Sequence, residues 1–200
     1  MEVGYKIRSQ PEYKGLSWQT RATAHLILAQ GSGAKAVINM LHQQHSDQPI
    51  TLLYSHKLGE EINCDLELKA LLHLDQHVFD DEKMMFKALK LLLPFQYMGT
   101  RVYVAGSQEF IWAVADIVKA FGIDDADVIK ELSGTTARSV YCVHCKAITY
   151  RATTNVTECI GCQRMLFVRD HFSRNLGAYM GLMVDAEDPG ELPEIEEIYP

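Results

Sequence analysis

The sequence predicts an α/β domain, a mostly parallel sheet with flanking helices, followed by a small β module organised by cysteines. Three observations carry that reading. Short apolar runs alternate with amphipathic stretches over residues 24–134, which is the pattern of βαβ units. Four of the five cysteines fall within residues 142–162. Charge divides the chain in the same way: residues 1–134 hold 17 acids and 13 bases, residues 135–184 hold 2 acids and 6 bases, and residues 185–200 hold 7 acids and no base. The expected organisation is an N-terminal extension (1–23), the α/β domain (24–134), the cysteine module (135–184) and an acidic tail (185–200).

Residues 1–23 are polar and mixed, with Tyr13 and Trp18 as candidate anchors. The apolar run AHLILAQG, Ala24–Gly31, suits a buried strand. Gly31-Ser32-Gly33 follows, then a helix in which Ala36, Met40 and Leu41 keep helical spacing. Pro49–Lys57 is a second strand, with proline where a strand tolerates it, at the first position. Residues 58–64 read as a loop. Asp65–Leu74 reads as a helix capped by Asp65, with Leu68, Leu71 and Leu72 on one face. A short strand over Gln76–Phe79 leads into DDEKMMFKALKLLL, acidic first and basic later as the helix dipole prefers. Met84, Met85 and Phe86 read as core filling, and Pro94 closes the helix. Thr100–Ser107 is a clear strand, Gln108–Gly122 an amphipathic helix ending in glycine, and Val128–Leu132 a last strand. Residues 133–139 link this domain to the cysteines.

With 48% apolar and 22% charged residues, the composition is that of a folded globular chain. No run approaches the ~18–20 apolar residues of a membrane span, and the first residues lack a signal-like apolar core. The expectation is a cytoplasmic protein without a membrane partner. Bulk charge makes no case for nucleic acid.

The strongest motif is C-x2-C-x13-C-x2-C, formed by Cys142, Cys145, Cys159 and Cys162. Two residues between cysteines let one turn aim both sulfurs at one ion, and two such turns facing each other make a tetrahedral S4 site. The β-rich stretch between the pairs supplies two strands, which gives a zinc ribbon. Zinc is the expected ion, iron in the same S4 set the alternative; the spacing does not match a [2Fe–2S] cluster. A full thiolate set leaves no position for water, so the expected role is structural.

The glycine turns are weaker signals. Gly31, Ser32 and Gly33 between strand and helix suit a phosphate against helix N–H groups, but Ala36 stands where G-x-G-x-x-G needs glycine. His56 and Lys57 end the second strand where an acidic residue would read a ribose, and they suit a 2′-phosphate instead. Gly106 and Ser107 form a second strand-to-helix turn. These seven residues are the candidate nucleotide set; the competing reading is that the glycines only make tight turns. His42 with His45, and His73 with His77, are read as solvated pairs, and Cys64 as a buried, inert thiol. No constellation of nucleophile, base and orienter occurs. Asp170, His171, Arg174 and Tyr179 follow the second cysteine pair. Read as a helix, this segment puts His171, Arg174 and Ala178 on one side as a docking surface, or simply packs on the ribbon.

Two resemblances add to this. Gly31–Ala36, together with Val102–Ser107, Phe110 and Val114, is similar to the NAD(P)-binding half of ferredoxin–NADP reductase-type proteins. Ala36, Ala105 and Ser107 depart from the proline, cysteine and proline of that pattern, and the flavin-binding barrel of those proteins has no counterpart here. Over residues 24–188 the chain resembles the DmmA family of dimethylamine monooxygenase subunits, most specifically in Cys142-Val143-His144-Cys145, Cys159-Ile160-Gly161-Cys162, Asp170–Arg174 and Ala178–Gly181. The resemblance implies an NADPH- and O2-dependent complex that converts dimethylamine to methylamine and formaldehyde. It also implies haem on one partner subunit, and flavin and [2Fe–2S] on a reductase subunit. This chain is then an accessory or electron-transfer-organising subunit. Two alternatives stay open: an NADPH-binding hydride donor to a partner flavin, and a regulatory zinc-ribbon binding protein.

Overall fold

The computed structural model describes residues 9–43, 46–57, 64–71, 74–186, 190 and 192–200. His45, His73 and most of the expected 58–64 loop lie outside them. The described chain divides into two compact units: Tyr13–Gly134, and Thr135–Pro200 together with the described residues up to Glu12.

In the first unit the elements run β1 (Ala24–Gln30), α1 (Gly33–His42), β2 (Ile50–Ser55), α2 (Asp65–Lys69), β3 (Asp75–Phe79), α3 (Glu82–Leu92), β4 (Thr100–Gly106), α4 (Gln108–Lys119) and β5 (Val128–Leu132). The strands form one sheet in the order β3-β2-β1-β4-β5, and every pairing is parallel. β1 is buried at all seven positions, as a central strand covered on both faces must be. One face packs Ile27, Ala29, Leu52, Tyr54, Tyr103 and Ala105 against α1 and Leu68 of α2. α3 and α4 contribute Met85, Leu89, Phe110 and Val114, all fully buried, and Phe86 stacks on Phe110 with centroids 5.8 Å apart. Of the three residues expected in the core of α3, Met84 stands instead on its outer face, 52% exposed.

The extension before β1 is fastened to this unit. Trp18 stacks on His25 at 3.8 Å, and the Tyr13 hydroxyl accepts from Gln108 Nε2 and Trp112 Nε1 at 3.1 and 2.9 Å. Strand order reverses between β1 and β4. Their C-terminal ends therefore lie side by side, and the Gly31–Gly33 and Gly106–Ser107 turns lie at that switch point.

The second unit is a five-stranded sheet of β6 (Arg138–Cys142), β7 (Ile148–Ala152), β8 (Val156–Glu158), β9 (Met165–Ser173) and β10 (Ala178–Met183), ordered β7-β6-β10-β9-β8. The expected terminal helix is not formed. Asp170–Ser173 ends β9, Gly177 turns the chain at φ +60°, and β10 returns antiparallel. Leu166, Val168 and Phe172 are buried on one face, so period two wins over helical spacing. Ser9 adds a bridge beside His171. The acidic tail is held as well: Ile198 and Tyr199 N–H groups donate to Thr153 O, and the Pro200 carbonyl accepts from the Thr135 and Thr136 hydroxyls, both at 3.0 Å.

Candidate metal centre and switch-point crevice

Each cysteine pair is the turn of a β-hairpin. Cys142 ends β6 and β7 begins at Ile148; Glu158 ends β8 and β9 begins at Met165. The two turns repeat one hydrogen-bond pattern. Cys142 N–H donates to Ala147 O and Lys146 N–H to Cys142 O, both at 2.9 Å. Cys159 N–H donates to Arg164 O and Gln163 N–H to Cys159 O, also at 2.9 Å. Lys146 and Gln163 occupy the left-handed region at φ +69° and +61°. That conformation costs ~1–2 kcal/mol for a residue other than glycine, so something outside the turns must hold them.

The four sulfurs converge to within 4.8 Å of one another. Cys142 Sγ and Cys162 Sγ are 3.8 Å apart, Cys145 Sγ and Cys159 Sγ 3.4 Å. A tetrahedron with metal–sulfur bonds of ~2.3 Å has sulfur–sulfur edges of ~3.8 Å, so the donor set fits a single ion. Cys142 and Cys159 are buried, Cys145 and Cys162 half-buried. As thiols the set is mismatched. Hydrogen bonding from the Arg164 backbone, with the Arg164 side chain and neighbouring thiols adding to it, draws Cys162 down to about 5. Although the Ala147 backbone pulls Cys145 the other way, desolvation and the other three thiols push it up to about 12. Four thiolates around a cation remove that conflict. Gly161 N–H donates to Cys159 Sγ at 3.4 Å, and a Cβ on Gly161 would lie 2.7 Å from Ala147 Cβ and 3.0 Å from Cys145 Sγ. The two turns close on each other only because this residue has no side chain.

The switch-point crevice is tied by its own side chains. Gln30 Oε1 accepts from the Ser107 hydroxyl at 2.9 Å, and Gln30 Nε2 donates to Glu82 at 2.7 Å. Ser107 also caps α4 by accepting from Phe110 N–H. Gly33 and Gly106 answer to packing: a Cβ on Gly33 would fall 2.3 Å from Ala105 O, one on Gly106 2.8 Å from Phe110 Cδ1. Gly31 needs its φ of +50°. Ser32 makes no side-chain cap on α1. His56 is paired with Asp65 at 2.9 Å, and Lys57 follows it, half-buried. Sequence reasoning missed Gln30 and Glu82; a glutamine ending an otherwise apolar strand was the available signal.

The expected docking residues divide. Asp170 receives the Arg138 guanidinium at 2.8 Å. Tyr179 is buried and lies under that guanidinium at 3.9 Å, with Tyr199 on its other side at 3.7 Å. His171 is half-buried beside Ser9. Arg174 is exposed in the β9–β10 turn. Asp170 and Tyr179 thus hold the sheet together. Arg138, the centre of this cluster, gave no sequence signal because its partners lie 32 and 61 residues away.

Fold and site together define a two-unit protein, a parallel α/β unit whose switch point is bridged by Gln30, Ser107 and Glu82 and a β unit in which four cysteine sulfurs converge. The chain belongs to the dimethylamine monooxygenase subunit DmmA-like family: the N-terminal domain of that family matches residues 5–128 and its C-terminal domain residues 139–182. A relative is the heme-dependent oxidative N-demethylase delta subunit of Ectopseudomonas mendocina, 26% identical over 181 residues, covering 90% of this chain and 91% of that one. Among solved structures, the flavohem-like FAD/NAD-binding domain of nitric oxide dioxygenase from Vibrio cholerae aligns with a TM-score of 0.41 at 17% identity, covering 62% of this chain and 56% of that one. Ferredoxin–NADP+ reductase from Plasmodium falciparum aligns with a TM-score of 0.41 at 17% identity, covering 56% of this chain and 52% of that one. The chain spans about half the length of these two structures.

Proposed function

We propose that this chain is an accessory, electron-transfer-organising subunit of a multicomponent oxidative N-demethylase. That complex would use NADPH and O2 to convert dimethylamine to methylamine, formaldehyde and water. It works in the cytoplasm, with haem on one partner subunit and flavin and [2Fe–2S] on a reductase partner. Family membership and the delta-subunit relative support this reading. One observation carries the accessory role: within each unit, the chemistry-bearing groups are already committed to one another. Gln30 spans Ser107 and Glu82 across the crevice, and four sulfurs converge on one point.

Cys142, Cys145, Cys159 and Cys162 would hold one zinc ion, which supplies a cross-link between two hairpins and no open coordination position. Glu82 puts a carboxylate on Gln30, next to the first glycine turn, and Asp65 engages His56, so the nucleotide set Gly31, Ser32, Gly33, His56, Lys57, Gly106 and Ser107 is read as scaffold. Reconstitution from purified subunits tests the role. Demethylation should fall at least tenfold when this chain is left out, and an unchanged rate refutes it. Elemental analysis should give one zinc per chain and no visible band; iron that cycles during turnover would overturn the structural reading.

A second reading is favoured by the adjacency of the two glycine turns at the switch point: the α/β unit binds NADPH and hands hydride to a partner's flavin. Calorimetry separates the two, since heat at micromolar NADPH would support hydride delivery and none at millimolar NADPH the accessory role.

A further inference from the structure

The outer face of α3 and the turn after it form a surface that the proposed function does not use. Lys83, Lys87 and Lys90 recur at i, i+4 and i+7, so they form one exposed stripe. No carboxylate among the described residues pairs with them, although the 134 residues around them carry more acids than bases. The acids at the start of α3 are engaged elsewhere: Asp81 caps Met84 N–H and Glu82 receives Gln30. Beside the stripe runs an apolar one. Met84 is 52% exposed, Leu91 74%, Phe95 79%, Tyr97 67% and Met98 95%.

This apolar strip is not a loose loop. Thr23 N–H donates to Gly99 O at 3.2 Å, and Thr23 Oγ1 donates to Met98 O at 2.7 Å. Thr100 N–H and Oγ1 both donate to Tyr97 O, at 3.1 and 2.8 Å. The backbone is pinned on both sides, and the side chains are held out into water. Apolar groups of this size held in water cost free energy that a partner recovers, and pinning removes the ordering cost of binding. Met and aromatic side chains are among the types enriched at protein interfaces, whose rim is polar.

We propose that this face docks another subunit of the assembly through an acidic surface with an apolar centre. The inference rests on the subunit reading and adds the place and chemistry of contact. The lysines supply steering and register, because charge pairs at a rim act mainly on encounter; Leu91, Phe95 and Met98 supply the buried centre.

The test uses the full chain and the purified remaining subunits, with affinity measured at low and high salt. One variant carries Lys83→Glu, Lys87→Glu and Lys90→Glu; a second carries Phe95→Ser and Met98→Ser. Every changed side chain is exposed, so circular dichroism and melting should match the parent chain. The charge variant should bind at least tenfold more weakly at low salt and lose the salt dependence of the parent. The apolar variant should bind at least tenfold more weakly with the salt dependence kept. If the parent chain binds and both variants bind equally well, the docking face is refuted and the subunit reading stands. Should the variants instead abolish self-association while subunit binding is unchanged, the occupant is a second copy and the proposal falls. If the parent chain binds no subunit, the proposed function itself has failed.

Discussion

His25 shows how a single residue's surroundings set its chemistry. It is 2% exposed, stacked on Trp18, and its Nδ1 lies 3.1 Å from the Tyr103 hydroxyl. Burial lowers its pKa from 6.5 to about 4. Below pH 6.5 the unfolded chain takes up a proton that the folded chain refuses. Its contribution is therefore fully present above pH 6.5 and is lost as pH falls toward 4. Denaturant unfolding of the α/β unit should lose about 1 kcal/mol from this residue between pH 7 and 5.5, and His25→Phe should remove that part of the slope. A parent stability flat over that range would contradict it. Arg138 is a second case. Its guanidinium, 7% exposed, lies between two tyrosine rings and on Asp170. Arg138→Met should cost the second unit about 2–3 kcal/mol, because it removes the guanidinium that donates to Asp170 and two cation–π contacts. Denaturant melts that leave the variant within 0.5 kcal/mol of the parent, the scatter of ~0.5 kcal/mol expected of an inert surface change, would show the cluster to be incidental.

The cysteine hairpins were the most legible elements, because ligand spacing is a local property: C-x2-C fits one turn and nothing else in the turn has to be known. The same locality made β1, β4 and α4 readable from apolar runs and terminal glycines. The β9–β10 hairpin was not readable. Asp170 falls between Val168 and Phe172 on the face that buries both neighbours, and an acid in that slot breaks the alternation that marks a strand. It is tolerated because Arg138, 32 residues earlier, meets it. The Asn175-Leu176-Gly177 turn, with Gly177 in the left-handed region, was the one local clue. At this scale Gly161 is the sensitive position. A methyl group there meets Ala147 and Cys145 Sγ, so Gly161→Ala should weaken metal retention about tenfold, within the range for groups that orient ligands. Competition with a coloured chelator reads this directly, and equal retention would show that the hairpins can separate without loss.

For the molecule as a whole, the two units draw stability from different sources. The α/β unit buries two faces of a parallel sheet. The second unit has a single five-stranded sheet and relies on its cysteine centre, the held tail and the Arg138 cluster. Removing metal with a strong chelator should therefore abolish the cooperative unfolding of residues 135–200 and leave that of residues 13–134 in place. Hydrogen exchange followed by peptide would show protection lost in β6–β10 and kept in β1 and β4. Loss in both units together would mean that the ion supports the entire chain. Among the described residues no helix is long and apolar enough to cross a membrane.

What the sequence determined by itself was everything governed by short range: the parallel α/β order of elements, the paired spacing of the four clustered cysteines, the change of charge along the chain and the family. What the tertiary structure decided depended on groups distant in sequence. It set Gln30 between Ser107 and Glu82 beside the glycine turns and placed Asp170 and Tyr179 on Arg138. It also left a lysine stripe and five large apolar side chains on one outer face. The physical reason is the same in each case. Periodicity and spacing report how a segment meets its own neighbours, whereas the worth of a buried polar group or an exposed apolar one is set by what the rest of the chain places against it.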